Sequence, residues 1–483
     1  MTAEAYTGAR PPAAFNLTQY CLSGKPPEKT ALIVAGETAQ TWTYAAIEEC
    51  VLRCAGGLLA HGLEPGQRLF IRMGNSFDYA IVFFAAVAIG AIPIPASSML
   101  TAPEVAKLLA DSGASFLAWE GTLDLPEMQG VTILSAADID RCKRALPATY
   151  AATAADDPAY LVYTSGTSGR PKGVLHAHRV IWGRRPMYRG WHDIGQDDVV
   201  LHTGAFNWTY TLGVGIFDPF AAGATSVVNV GARDATRWPD LVRSHGATIM
   251  ASVPGIYRQL LRTDLRLGSS LRHALTAGEA LPVSILEQWR DRTGLELYEA
   301  LGLSEISTFI SSSPHVPVRA GSPGKPQQGR AVRILEDGQI AVHRSDPGLL
   351  LRYWSEPRLE ETWFATGDLA DMDADGYIWY RGRADDQMNA GGFRVSPLEV
   401  ETVLLQHPDV LDAGVREWRV SETLTIIAAF IVPQPGRSPD DAAILSFVRG
   451  RLAAYKVPKQ IWFVPALPRT ANGKLIRKAL DKP

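Results

Sequence analysis

Cysteine is scarce in this chain, and so is net charge. The four cysteines among 483 residues, Cys21, Cys50, Cys54 and Cys142, match neither a disulfide framework nor paired zinc knuckles, and a reducing, cytoplasmic compartment is the expectation. With 47 Lys+Arg against 50 Asp+Glu the formal charge is −3, which argues against the basic surface of a dedicated nucleic-acid binder. Long apolar runs are missing too. The strongest, 79–94, is shorter than the ~20 residues a membrane-spanning helix needs, and Gly90, Pro93 and Pro95 punctuate its end. It reads as a buried helix leading into a buried strand. The first residues lack the charged-then-apolar pattern of a secretory signal, so no export is expected. His176, His178 and His202 show no metal-ligand spacing, and there is no long repeat or low-complexity tract.

What is present is ordinary globular material, 46% hydrophobic and 20% charged, long enough for two or three domains. Short β-type runs alternate with helical stretches: 68–73, a helix from about Ser76, 92–95, a helix over 104–113, then 115–119. That alternation predicts βαβ units on mixed or parallel sheets. After Thr366 the texture changes, and the Asp- and Gly-rich run 368–387 reads as a hairpin leading into a boundary near Asp385. A small α+β unit follows, with a helix from Ser396 to about Gln406, strands over 413–416 and 425–432, and a helix from Asp440 to Leu452. The expected division is 1–384 and 385–483.

The most informative segment is YLVYTSGTSGRPKGVLHAHR, 160–179, an apolar strand ending in a loop of Thr, Ser and Gly with one Lys. Small residues let backbone N–H groups and hydroxyls close around phosphate oxygens, and Lys172 adds a point charge. It is not a Walker A loop: Pro171 precedes Lys172 where that motif has Gly, and Gly173 follows where it has Ser or Thr.

This loop resembles the signature of the acyl-adenylate-forming superfamily, which includes acyl-CoA synthetases, peptide-synthetase adenylation domains and luciferases. TAGEALP (276–282), YEALGLSE (298–305), ATGDLA (365–370), YRGRADDQMNAGGFRVSPLEVE (380–401) and PRTANGKLIRK (468–478) follow in the family's order. The resemblance implies an α/β fold: a large N-terminal domain of mixed βαβ sheets with a small barrel-like part, then a small mobile α+β C-terminal domain carrying the catalytic lysine. It also implies ATP, Mg²⁺ and CoA, and two half-reactions in one site. A carboxylate attacks the α-phosphate of ATP with release of pyrophosphate, and a thiol then takes the acyl group from AMP. Both steps gather negative charge, which calls for backbone donors, a divalent metal and lysines.

By the same resemblance, Thr164, Ser165, Gly166, Thr167, Ser168, Gly169 and Lys172 cradle the β- and γ-phosphates, and Glu305 with Thr164 faces the metal. Leu301, Gly302 and Ser304 lie beside the nucleotide, with Leu301 standing where the family often has an aromatic residue. Asp368 corresponds to the ribose-binding acid and Arg383 to a cation against ribose or phosphates. Asp385 marks the hinge whose rotation first presents and then withdraws Lys474, the main catalytic cation. Gly391 and Gly392 line the route of the thiol, with Arg394 as a phosphate or interdomain contact.

The segment 203–217 resembles the family's acid-binding region and carries no charged side chain. An amino-acid substrate would need a carboxylate against its ammonium group, because an unpaired buried charge costs several kcal/mol. An uncharged acyl group is therefore expected in a slot formed by Phe206, Trp208 and Tyr210 over Gly278. The motifs look most like benzoate-type ligases, with similarity also to short- and medium-chain acyl-CoA synthetases. Little chain follows Lys474, so free CoA is the expected acceptor. An enzyme that loads a separate carrier protein and a non-catalytic nucleotide or acyl sensor are the competing readings. A monomer and a homo-oligomer both satisfy this sequence.

Overall fold

The computed structural model describes residues 4–37, 39–164, 172–231, 234–390, 393–420, 425–470 and 473–483. The stretch 79–94 forms the helix and strand that its sequence predicts. Ser76 starts the helix Phe77–Ala88 by accepting the Tyr79 N–H at 3.1 Å. Apolar on all sides, this helix is buried on all sides from Tyr79 onward. The strand Ile92–Pro95 then pairs in parallel with Arg68–Arg72, which continues through Phe116–Trp119 to Thr132–Leu134. The helix expected over 104–113 is Ala102–Ser112. Glu104 accepts the Thr101 N–H at 2.8 Å to open it, and Gly113 closes it with φ of 60°.

A nine-stranded sheet forms the second layer. Its six central strands are parallel, in the order Leu297–Leu303, His273–Ala277, Ile249–Ser252, Val199–His202, Thr225–Asn229 and Thr30–Ala35, with antiparallel strands at both edges. The segments leaving the C-terminal ends of these strands include 203–208, 278–282 and 304–306. Three separated stretches of sequence are thus delivered to one edge, where open α/β sheets bind ligands.

The smaller sheets supply the remaining walls. One is antiparallel, Val332–Ile334, Gln339–His343, Trp363–Met372 and Ile378–Arg383, and contains the hairpin read from 368–387. Another joins Arg352–Tyr353, Lys172–Ala177 and Pro158–Thr164. After a short turn at Ala384–Asp386, the strands Val410–Arg419, Thr425–Pro433 and Gln460–Phe463 form a sheet with the helices Pro397–Leu404 and Asp441–Arg449. Val400, Val415, Ile431 and Ile444 belong to a core of their own. The strand expected over 413–416 is longer because its polar end is also packed, Trp418 lying edge-on to Trp462 at 4.7 Å. The last helix stops at Arg449, before Gly450, short of the expected Leu452. Cys21, Cys50, Cys54 and Cys142 are free thiols, and no helix among the described residues is long and apolar enough to cross a membrane.

Candidate active site

The strands flanking the Thr/Ser/Gly loop are antiparallel, with Thr164 opposite Lys172 and the Thr164 hydroxyl donating to the Lys172 carbonyl at 3.4 Å. Ser165, Gly166, Thr167, Ser168 and Gly169 lie outside the described residues. Lys172 Nζ stands 3.3 Å from the centroid of the Tyr353 ring and 3.9 Å from the Glu356 carboxylate. The hydroxyl of Tyr353 donates to Glu305 Oε1 at 3.0 Å. Burial, reinforced by the Glu305 charge, pushes the Tyr353 phenol well up, so it stays a donor. Tyr353 thereby joins two expected site residues, a role its own short motif did not announce.

Glu305 sits in the bend between the strands Leu297–Leu303 and Ser307–Ser311. Several contacts fix that bend. Leu350 N–H donates to the Glu305 carbonyl at 2.6 Å, and His176 Nε2 contacts the Ser304 carbonyl at 2.9 Å. Burial pushes the His176 imidazole down to about 3, so the ring is neutral and its Nε2 carries the donated proton. Ser307 has φ of 67°, a left-handed conformation costly for a residue with a Cβ. Its hydroxyl accepts from Arg184, which is itself buried in a two-pronged pair with Asp218 at 2.7 and 2.6 Å. Gly302 marks a bulge in the strand pairing, and a Cβ there would come within 2.7 Å of the Ser307 carbonyl oxygen. Leu301 is partly buried against the cluster that contains Ile310 and Ile378.

Asp368 and Arg383 face each other across the hairpin. Asp368 is 2% exposed; its Oδ1 accepts from Tyr380 at 3.1 Å and from Arg383 at 3.4 Å, while Oδ2 is buried without a partner among the described residues. Burial raises the Asp368 carboxyl, with Arg383 the largest opposing influence and Tyr380 and Lys474 adding to it. A buried acceptor left unpaired costs about 1–3 kcal/mol, so Oδ2 is suited to a ligand hydroxyl. Arg383 also donates to the Thr366 carbonyl at 2.9 Å and to Asp385 Oδ1 at 3.2 Å.

Lys474 is exposed, and its charge acts on both Asp368 and Glu279. The far part of the chain therefore reaches the same site as the sheet edge. Gly391 and Gly392 fall outside the described residues; Arg394 lies on the strand Phe393–Val395, paired with Met388–Ala390.

The aromatic residues expected around the acid divide into two groups. Trp208 lies over Gly278, where φ is +95° and a Cβ would meet the indole at 2.9 Å. Trp208 is edge-on to Tyr210 at 5.1 Å, whose hydroxyl donates to the Ser252 carbonyl at 3.1 Å. Phe206 is 2% exposed and joins the main core, 5.3 Å from Tyr79, so it backs the slot from behind. The nearest following acid, Asp218, is already paired with Arg184.

Glu299 was not singled out by its sequence context. It is buried, accepts the Leu281 N–H at 2.8 Å, and so ties the strand that leads to Glu305 to the loop carrying Gly278. Burial pushes its carboxyl up to about 7. Among the described residues no group of three or more His, Cys, Asp or Glu is arranged to hold a metal ion.

Residues 22–352 match the family model described as AMP-binding enzyme, and 399–474 match the AMP-binding enzyme C-terminal domain. The 3-hydroxybenzoate–CoA/4-hydroxybenzoate–CoA ligase of Thauera aromatica is 32% identical, over 93% of this chain and 92% of that protein. The 4-hydroxybenzoate–CoA/benzoate–CoA ligase of Rhodopseudomonas palustris is also 32% identical, over 91% and 88%. Among solved structures, an anthranilate CoA ligase in complex with anthranoyl-AMP superimposes with a TM-score of 0.87 at 28% identity, covering 97% of each chain. A benzoate CoA ligase from Burkholderia xenovorans gives 0.87 at 27% identity, covering 96% of this chain and 99% of that one. The ordered motifs, the sheet edge that gathers two of them and these matches agree: the chain belongs to the AMP-binding enzyme family.

Proposed function

We propose that this enzyme is an AMP-forming carboxylic acid:CoA ligase acting on an uncharged aryl or short- to medium-chain acid, with small aryl acids first. The observation that carries the reading is two joined pairs, Lys172 with Glu305 through Tyr353 and Lys474 with Asp368, linked by Arg383, which pairs with Asp368 and whose charge reaches Tyr353, with one buried oxygen of Asp368 left for a ligand hydroxyl.

In the first step an oxygen of the acid attacks the α-phosphorus of ATP, and the bond to the bridging oxygen of the β-phosphate breaks, so pyrophosphate leaves. Lys474 spans the attacking carboxylate and the α-phosphate, lowering the charge repulsion between them. Thr164, the loop 165–169 and Lys172 hold the departing phosphates. Asp368 accepts from the ribose hydroxyls through Oδ2 while Tyr380 and Arg383 occupy Oδ1. Leu301, Gly302 and Ser304 border the nucleotide.

Glu305 is the residue that would hold a Mg²⁺ ion, since Oε1 is oriented by Tyr353 and no hydrogen bond to Oε2 is made among the described residues. When bound there, the ion supplies positive charge against the phosphate oxygens. In the second step the small domain rotates about Asp385, and a CoA thiol reaches the acyl carbon past Gly391, Gly392 and Arg394. The sulfur–carbon bond forms as AMP leaves.

Among the described residues the slot around Trp208, Tyr210 and Gly278 has no free carboxylate, because Glu279 is engaged by Arg469 and Asp218 by Arg184. That favours an uncharged acyl group over an amino acid. The test is pyrophosphate release with ATP, Mg²⁺ and a panel of benzoates, fatty acids and amino acids, each with and without CoA. AMP and acyl-CoA from an uncharged acid are expected. An adenylate that ignores CoA would point to a carrier protein as acceptor, and silence across the panel would overturn catalysis.

A further inference from the structure

Arg469 lies five residues before Lys474 and has no place in the reaction described above. Its guanidinium nevertheless makes three contacts around that lysine. Nη1 donates to the Gly473 carbonyl at 2.6 Å, the peptide group leading directly into Lys474. The same nitrogen donates to Glu279 Oε1 at 3.2 Å, next to Gly278 in the motif loop of the large sheet. Nη2 donates to Asp412 Oδ2 at 2.8 Å, on the strand Val410–Arg419 of the C-terminal unit, and Asp412 is itself 3.5 Å from Arg258 Nη1.

The charges alternate, Glu279, Arg469, Asp412, Arg258, so Asp412 lies between two cations, and the Glu279–Arg469 and Asp412–Arg258 pairs both cross between the large N-terminal part and the C-terminal unit. The turn is closed locally as well. Thr470 N–H donates to the Lys474 carbonyl at 2.8 Å, and Lys474 N–H to Thr470 Oγ1 at 3.1 Å. A planar guanidinium with donors on separate nitrogens in a fixed fork suits such a three-way junction, whereas the three donors of an ammonium radiate from one nitrogen on a flexible stem and do not match the spacing of the acceptors.

We propose that Arg469 is a positioning residue for Lys474: by binding the Gly473 peptide, Glu279 and Asp412 together, it sets the lysine-bearing turn against the large sheet for adenylation only. The proposal rests on the role given to Lys474 above. Because the Glu279 contact crosses between the two units, any rotation of the C-terminal unit that brings in the thiol breaks it. Arg469 therefore belongs to the first half-reaction and is dispensable in the second.

The test measures both half-reactions separately, ATP–pyrophosphate exchange for adenylation and CoA acylation from supplied benzoyl-AMP for thiolation, with benzoate as the first acid probe. Arg469→Ala should lower the exchange kcat roughly 10- to 100-fold with little change in the KM for ATP, since the lysine is displaced and not removed. Thiolation and the thermal midpoint should stay near wild type. Arg469→Lys should recover only part of the loss, and Glu279→Gln should fall between. In a Lys474→Ala background, Arg469→Ala should cost nothing further, a non-additivity that a purely structural arginine would not show. Equal loss of both half-reactions, or wild-type exchange in Arg469→Ala, would overturn the proposal. Wild-type exchange in Lys474→Ala alone would overturn the role of the lysine itself, and is read independently of Arg469.

Discussion

The phenol of Tyr353 donates to Glu305 at 3.0 Å while its ring face lies 3.3 Å from the Lys172 ammonium. One side chain thus orients the acid expected to face the metal and the lysine expected to face the phosphates. Removing only the hydroxyl separates these roles. Tyr353→Phe should lower adenylation by roughly 10- to 100-fold, the usual size of a hydrogen bond to a charged group, and raise the Mg²⁺ concentration needed for half-maximal rate. Tyr353→Ala should also raise the KM for ATP, because a cation–π contact of about 0.5–2 kcal/mol goes with the ring. Titrating Mg²⁺ against initial rate in both variants checks this, and a Tyr353→Phe enzyme indifferent to Mg²⁺ would detach Tyr353 from the site.

Asp368 offers a sharper probe, since its buried Oδ2 has no partner among the described residues. Two hydrogen bonds from ribose hydroxyls to a carboxylate predict that Asp368→Ala raises the KM for ATP by roughly 10- to 100-fold, leaving the KM for the acid near its original value. The wild type should discriminate against 2′-deoxy-ATP and the variant should not. Retained discrimination in Asp368→Ala would place the ribose elsewhere.

The motif residues were legible because their chemistry is local: a Gly-rich loop, an Asp after Gly, a Lys in a turn. Their supporting partners were not. Tyr353, Glu299 and Arg469 act through contacts with residues far along the chain, Glu305, Leu281 and Glu279, and nothing in their own neighbourhoods reports those contacts. The aromatic segment shows the complementary failure. Phe206 and Trp208 have the same two-residue spacing as Trp208 and Tyr210, yet Phe206 turns to Tyr79 and the main core. The alternation over 68–119 is legible because short apolar runs bounded by Gly, Pro and Ser mark the buried strands and the buried helix Phe77–Ala88, while Val105, Leu108 and Leu109 carry a helical period in Ala102–Ser112. The segment 182–192 folds into mixed short helical turns, and its sequence carries no such period.

Glu299 predicts how stability varies with pH. Its carboxyl rises from 4.5 to about 7 on folding, because burial penalises the anion. Between those values the folded chain holds a proton that the unfolded chain has lost, so stability falls as pH rises. The contribution is fully present below the unfolded pKa and lost once pH passes about 7, an amount on the order of 3 kcal/mol. Glu299→Gln keeps an acceptor for the Leu281 N–H but cannot ionise. Urea midpoints from about pH 5 to pH 8 should therefore decline less in the variant, which becomes the more stable protein at the alkaline end. Parallel curves would show that Glu299 is not the titrating group.

Trp208 and Gly278 set the depth of the acid slot, and they are coupled. A Cβ at Gly278 would lie 2.9 Å from the indole, and the backbone there has φ of +95°. Trp208→Ala opens the space over Gly278, so longer acyl groups should gain in kcat/KM relative to benzoate by roughly 10- to 100-fold, the range in which apolar pockets discriminate by size. Gly278→Ala should impair the enzyme on two grounds, collision with the indole and about 1–2 kcal/mol of left-handed backbone strain. In the double variant the collision disappears and only the strain persists. Gly278→Ala should therefore cost less in the Trp208→Ala background than in the wild type, a positive coupling measurable from kcat/KM for a common acid. Additive losses would mean that the two residues do not meet across the slot when substrate is bound.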